Sequence, residues 1–293
     1  MLRISWAAKV AGKSQLVASI LACVVTLACL GLASPSAYAE SSKTLAKYAL
    51  VSVVRDADGR PLMTEDGRYV SSNWSGYVLP SFKTGDTYTS VQATWIVPDV
   101  PFEKRKHDST QWIGIGGFCA DARCRKIDRT LIQIGTGQDP LGGPENVYFS
   151  WYQMSPGIPL GAPIGPNPGD VITASVSCDP CIGNQMWTLS MMDLTSGVGW
   201  KGQPVPYQSS TLSAEFVEGT SADQRQILPL ANYGTIPFDQ SMVNGSGANL
   251  GGGYGIVLRA PQGNSSNISP LNPTADGFTA CFDQPNCTFV PIP

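Results

Sequence analysis

The sequence is poor in histidine, in charge and in helical periodicity, and each shortage removes a class of chemistry. Its 293 residues include one histidine, His107. Hydrolases of the Ser-His or Cys-His kind take their base from histidine. His107 instead lies in Glu103-Lys104-Arg105-Lys106-His107-Asp108, a charged run that reads as a solvated loop. Zinc hydrolases of the HExxH kind need two histidines and are excluded. The paired Asp-Thr/Ser-Gly elements of aspartic proteases are absent. Gly219-Thr220-Ser221-Ala222 has the look of a subtilisin-type serine motif, but the matching histidine motif is missing. Charged residues make up only 14% of the chain and form no basic stripe, which excludes nucleic acid as a partner.

What is present begins with an export pattern. Arg3, Lys9 and Lys13 precede an apolar run from Leu16 to Leu32, and small residues at Ala37 and Ala39 form a cleavage-like site before Glu40. These are the three parts of a secretory signal peptide. Residues 1–39 are therefore read as removed, leaving no stable membrane insertion and a secreted or periplasmic product. Three of the 19 basic residues and none of the 22 acidic ones lie there, so the remainder carries 16 against 22, a net charge of −6. Six cysteines remain, in local pairs: Cys119/Cys124, Cys178/Cys181 and Cys281/Cys287. In an exported chain an even count reads first as disulfides. Neighbour pairing is the simplest connectivity, with zinc at Cys178-Asp179-Pro180-Cys181 the alternative.

Residues 40–70 read as a leader or pro-segment, with turn signals at Asp58-Gly59 and Asp66-Gly67. Residues 71–293 read as one large domain of many short strands. Val91, Ala93, Trp95 and Val97 alternate and stop at Pro98; Trp112 to Ile115 run into Gly116-Gly117; Leu131 to Ile134 stop at Gly135. Further strand patterns cover 147–154, 171–176, 186–191, 214–218, 228–238, 254–258 and 278–282, while 244–253 and 261–270 read as surface loops. Period-two patterning broken by Gly, Pro and Asn predicts an all-β antiparallel β-sandwich.

Seven blocks in order carry a more specific likeness. They are Ser72-Asn73-Trp74-Ser75-Gly76-Tyr77, Ala93 to Pro98, Trp112 to Gly117, Leu131-Ile132-Gln133-Ile134-Gly135-Thr136, Trp151 to Met154, Ser213-Ala214-Glu215-Phe216-Val217-Glu218 and Leu230 to Thr235. In this order they resemble the glutamic peptidases (eqolisins), in a bacterial-type form. The resemblance implies a concanavalin A-like or jelly-roll-like sandwich that cuts protein or peptide substrates without metal or organic cofactor, insensitive to pepstatin, as a monomer. It maps the catalytic glutamine to Gln133 and the catalytic glutamate to Glu218, with Trp112, Trp151 and Gln153 expected along the substrate groove. Such a pair makes chemical sense: a carboxylate can take a proton from attacking water, and an amide can donate to the developing oxyanion.

Four departures qualify the match. In many relatives the last acid lies four after the Glu that follows Ala; here Glu218 lies three after Glu215. Odd spacing on a strand puts two side chains on opposite faces. Either a bulge or deletion preserves Glu218 or the role falls to Glu215. Relatives also carry carboxylates where Gly116 and Gln153 stand and near Gly137. Losing them implies a lower Glu pKa and a broader, less acidic optimum, or a weakened enzyme. The rival readings are an inactive relative that binds polypeptide, and a carbohydrate-binding or glycosidase sandwich.

Overall fold

The computed structural model describes residues 50–103, 107–139, 146–221 and 226–293, all within one compact unit, Ser41–Pro293. The signal-like segment and residues 40–49 lie outside the described residues. Seventeen strands follow one another: β1 (Tyr69–Ser71), β2 (Trp74–Pro80), β3 (Ser90–Ile96), β4 (Ser109–Gly116), β5 (Leu131–Asp139), β6 (Val147–Met154), β7 (Leu160–Gly161), β8 (Val171–Cys178), β9 (Met186–Asp193), β10 (Val198–Lys201), β11 (Val205–Pro206), β12 (Ser213–Gly219), β13 (Thr235–Val243), β14 (Ser246–Gly247), β15 (Tyr254–Arg259), β16 (Ser265–Ile268) and β17 (Phe278–Phe282). One four-residue helix, α1 (Ser81–Thr84), follows β2.

The pairings resolve into two layers. The front sheet runs β1–β15–β2–β12–β4–β5–β6–β7. The back sheet runs from β10 and β11 through β9–β8–β3–β13–β17–β16. β16 also pairs with β15, so hydrogen bonds join the sheets along one side. All these pairings are antiparallel except β1–β15. β3 and β8 pack over β4, and Trp95 of β3 donates its indole N–H to the Thr136 hydroxyl of β5 at 2.9 Å across the gap. The expected sandwich is thus present. Its core follows from strand alternation: Ile113 and Ile115, Ile132 and Ile134, and Ala214 and Phe216 point between the layers, against Trp95, Trp187, Phe238 and Phe278.

The front sheet is apolar on its outer face as well. Trp74, Val78, Trp112, Leu131, Trp151 and Val217 form a second buried cluster there. Two pieces of chain cover it. After β4 the backbone turns at Gly116 (φ +94°) and Gly117 (φ +90°) into the loop that carries Phe118 and the Cys119–Cys124 disulfide. Phe118 reaches the Tyr69 ring on β1, centroids 5.3 Å apart. The second piece is the segment from residue 50. Val51 joins the same cluster and donates its N–H to Gly117 O at 3.1 Å. The Arg55 guanidinium donates to Cys124 O at 2.6 Å. Residues 53–71 fold back through bridges Val53↔Ser71, Arg55↔Pro61 and Met63↔Tyr69, with Gly59 and Gly67 at positive φ in the expected turns. Residues 50–71 are therefore packed on the front sheet.

The three cystines join neighbours, Cys119–Cys124, Cys178–Cys181 and Cys281–Cys287; the second closes the CxxC as a disulfide. Three local readings change. Residues 265–268, read as loop, form β16. The strand expected over 228–238 begins only at Thr235, because Pro229 and Gly234 interrupt it; Leu228, Leu230, Ala231 and Tyr233 are buried instead as a tucked segment. His107 is buried rather than solvated, and neither ring nitrogen has a partner. Its neighbour Asp108 is drawn in by backbone bonds to Pro229 and Ala231.

Candidate active site

β12 lies between β2 and β4, and its register is continuous from Ser213 to Gly219 against β2 and from Ala214 to Gly219 against β4. With no bulge, the odd spacing decides the faces. Glu218 shares the inward face with Ala214 and Phe216, whereas Glu215 shares the outward face with Val217. Reading across the front sheet, cross-strand partners form one row: Val78, Glu215, Gly114, Gln133, Gln153. The structure therefore brings Gln133 together with Glu215. It does not bring Gln133 together with Glu218, the residue expected to carry the carboxylate, because their side chains leave opposite faces of the sheet.

Gly114 makes the pairing possible. Two strand spacings separate the backbones of Glu215 and Gln133, about 10 Å, and the residue between them has no side chain. A Cβ at Gly114 would stand 2.9 Å from Ile132 O and 3.1 Å from the Gln133 Cβ. The Leu131 Cδ1 is 3.1 Å from the same point, so the space over Gly114 is already closely lined and no side chain of β4 stands in it. On the far side of Gln133, Gln153 holds it in place. The Gln133 Nε2 donates to Gln153 Oε1 at 2.8 Å, and Gln153 Nε2 donates to Gly157 O at 2.7 Å. This chain of amides fixes which way round the Gln133 head group sits.

One row along, Val217, Trp112, Gly135 and Trp151 are cross-strand partners, so both expected tryptophans flank the Glu215–Gln133 row. Trp112 packs edge-on against Trp74, centroids 4.9 Å apart, and Trp151 donates its N–H to Thr136 O at 3.2 Å. Both are buried beneath the cover described above, as are Gln133 and Glu215.

Glu215 is fully buried, and neither carboxyl oxygen has a hydrogen-bond partner of good geometry. Burial pushes its pKa well above the ordinary carboxylate value; the nearby Ser213 hydroxyl and Gly116 N–H oppose the shift, and the Asp128 charge adds to it. Desolvation is the largest cause, so the rise of Glu215 above the ordinary carboxylate value does not require carboxylates at positions 116, 137 or 153. Glu218 has a different setting. Its Oε2 accepts from Gln111 Nε2 at 2.7 Å, and Gln111 is tied to Gln138 and Thr136, a polar seam inside the sandwich. Burial again raises its pKa, opposed by Gln111 and assisted by Asp108.

Among the described residues, no three His, Cys, Asp or Glu side chains are placed to hold a metal ion. Sequence reasoning missed Gly114, although its place beside Gln133 follows once β4 and β5 are paired. It also missed Asp128, which no spacing rule ties to Glu215.

The fold and the site can be set beside known proteins. The Peptidase A4 family model matches residues 72–269. Scytalido-glutamic peptidase, solved with a transition state analog inhibitor, superposes with a TM-score of 0.56 at 19% identity, covering 72% of this chain and 98% of that one. SCP-B, described as an eqolisin in complex with the tripeptide Ala-Ile-His, gives a TM-score of 0.52 at 19% identity with the same coverage. At this identity the likeness speaks for the fold alone. No curated protein matches the chain. A match over two thirds of the sequence to one family model, on the sandwich those structures share, makes the chain a member of the Peptidase A4 family, the glutamic peptidases or eqolisins.

Proposed function

We propose that this protein is an exported endopeptidase in which Glu215 and Gln133 form the catalytic pair. The observation that carries the reading is their common row on the outer face of the front sheet, separated by the side-chain-free Gly114. Glu215 takes the proton from a water attacking the scissile carbonyl and returns it to the leaving amine. Gln133, oriented by Gln153, donates to the oxyanion, an interaction worth about 3 kcal/mol in comparable sites. Trp112 and Trp151 bound the groove in which the peptide lies, in keeping with structural relatives solved with a transition state analog inhibitor and with a tripeptide. Glu218 plays no part in the chemistry.

The burial that raises the pKa of Glu215 holds its proton to higher pH than an exposed carboxyl would, so the pH profile of cleavage reports its titration. Three local cystines fit an oxidising compartment, and among the described residues no helix is long and apolar enough to cross a membrane. A glycosidase would need two carboxylates across the groove, and the row offers one carboxylate and one amide.

The test is hydrolysis of denatured haemoglobin from pH 2 to 7, with pepstatin and EDTA controls. Wild type is expected to cut in the presence of both inhibitors. Gln133→Ala and Glu215→Gln each lose at least about a hundredfold in kcat, while Glu218→Gln keeps its activity. Activity retained in Glu215→Gln and lost in Glu218→Gln would sink the reading. A wild type that cuts nothing at any pH would favour a polypeptide binder.

A further inference from the structure

Glu215 is approached from three directions outside its own strand. Gly116 of β4 presents its N–H, Asp128 presents a carboxylate from the loop after β4, and Tyr88, before β3, couples to it through its phenol. Tyr207 lies beyond, coupled to Asp128. No lysine or arginine acts on Glu215, and among the described residues the side-chain ion pairs do not include Asp128.

Asp128 is held in place on all sides. Its N–H donates to Phe118 O at 2.7 Å. Oδ1 accepts from the Thr130 N–H and hydroxyl, each at 2.9 Å, and Oδ2 accepts from the Ser210 hydroxyl. The same Oδ2 stands 3.0 Å from where a Cβ on Gly116 would be. Gly116 is the site's own neighbour on β4, one step along the outward face from Gly114. Thr130 O at 2.1 Å and Asp128 Oδ2 at 3.0 Å therefore occupy the space that a side chain at position 116 would claim, which sets the Asp128 carboxylate beside the outward face of β4.

We propose that Asp128 is a positioning residue for this site, supplying from the covering loop the negative charge against which Glu215 works. The inference rests on reading Glu215 as the catalytic carboxylate. A like charge nearby holds the proton on Glu215 to higher pH. Removing that charge lets Glu215 ionise earlier, so a general base becomes available at lower pH.

The experiment is an infrared titration of the protonated-carboxyl stretch from pH 3 to 9, run on full-length wild type, Asp128→Asn, Asp128→Ser and Glu215→Gln, beside the pH profile of kcat/KM on haemoglobin. The band missing from Glu215→Gln identifies Glu215. Asn keeps an oxygen for Thr130 and an amide that donates to Ser210, and Ser keeps the turn through its hydroxyl, so melting temperatures report whether each variant folds. The expected result is a Glu215 midpoint about one pH unit lower in both Asp128 variants, with the acid-side half-point of kcat/KM displaced the same way. An unchanged midpoint in the folded variants overturns the proposal, and so does unfolding of both, which would make Asp128 purely structural. If instead the Glu215 band shifts but Glu215→Gln cuts as fast as wild type, the charge coupling stands and the catalytic assignment of Glu215 falls.

Discussion

Gln133 and Glu215 occupy one row of the front sheet with Gly114 as the residue between them. The separation is set by two strand spacings, so it changes little unless the sheet itself changes. Filling the gap should therefore be felt first in catalysis. Gly114→Val places methyl groups between the two head groups and presses on Ile132 O, 2.9 Å from the new Cβ. Activity on haemoglobin is expected to fall at least tenfold, with a melting temperature lowered by a few degrees, about 1–3 kcal/mol of overpacking.

Gly116 is the position where many relatives carry an acid, and restoring it here should fail. Its φ of +94° suits glycine, and a Cβ would lie 2.1 Å from Thr130 O. Gly116→Asp is expected to cost roughly 2 kcal/mol or more, read as a lower urea midpoint, and to bring no gain in activity. A stable, more active variant would mean that the turn after β4 is not the one described.

The buried carboxyls set how stability depends on pH. Burial raises the folded-state pKa of both Glu215 and Glu218 well above the ordinary carboxylate range. The folded chain then binds protons that the unfolded chain has released. Stability from these groups is full below about pH 4 and is lost as pH rises through the folded values. The melting temperature is expected to fall between pH 4 and pH 8. Glu218→Gln, which cannot ionise, should flatten that slope; differential scanning calorimetry at the two pH values checks it. An unaltered slope would place the titration elsewhere.

The cover over the outer face should be loosened by removing its clasp. Arg55 donates to Cys124 O at 2.6 Å and to Gly59 O at 2.9 Å. Arg55→Ala removes both, and with them the tie to the Cys119–Cys124 loop, and is expected to raise kcat/KM on a short peptide several-fold, the effect of enlarging the binding-competent fraction. The comparison is made at equal fold stability, with cleavage of the 50–56 segment by a trace protease as the independent readout.

How far the sequence anticipates this site depends on which interactions made each element. Strands whose inward residues alternate against the core were plain in the chain: β6 (Val147–Met154) and β17 (Phe278–Phe282) coincide with the expected ranges. β16 was hidden because Ser265, Ser266 and Asn267 give no hydrophobic pattern; pairing with β15 and β17 on either side makes it a strand. Gln133 was legible from its surroundings in β5. The choice between Glu215 and Glu218 was not, since it turns on whether β12 contains a bulge, a property of the register with β2 and β4 rather than of the six residues themselves. Burial of His107 and Asp128 likewise depends on partners far along the chain.

The strand that joins the sheets also shapes what the molecule shows to its neighbours. With β16 hydrogen-bonded to β15 on one side and β17 on the other, that flank of the sandwich offers no row of free backbone groups to a second chain. The opposite flank ends in pieces too short or too interrupted to serve as a template: β7 has two residues between Pro159 and Pro163, β11 contains Pro206, and β10 carries Lys201. Short edges, prolines and a lysine are the devices by which sheet proteins resist edge-to-edge association. The seventeen-strand hydrogen-bond network is thereby closed or interrupted at its margins, so strand addition from another chain finds no long straight edge.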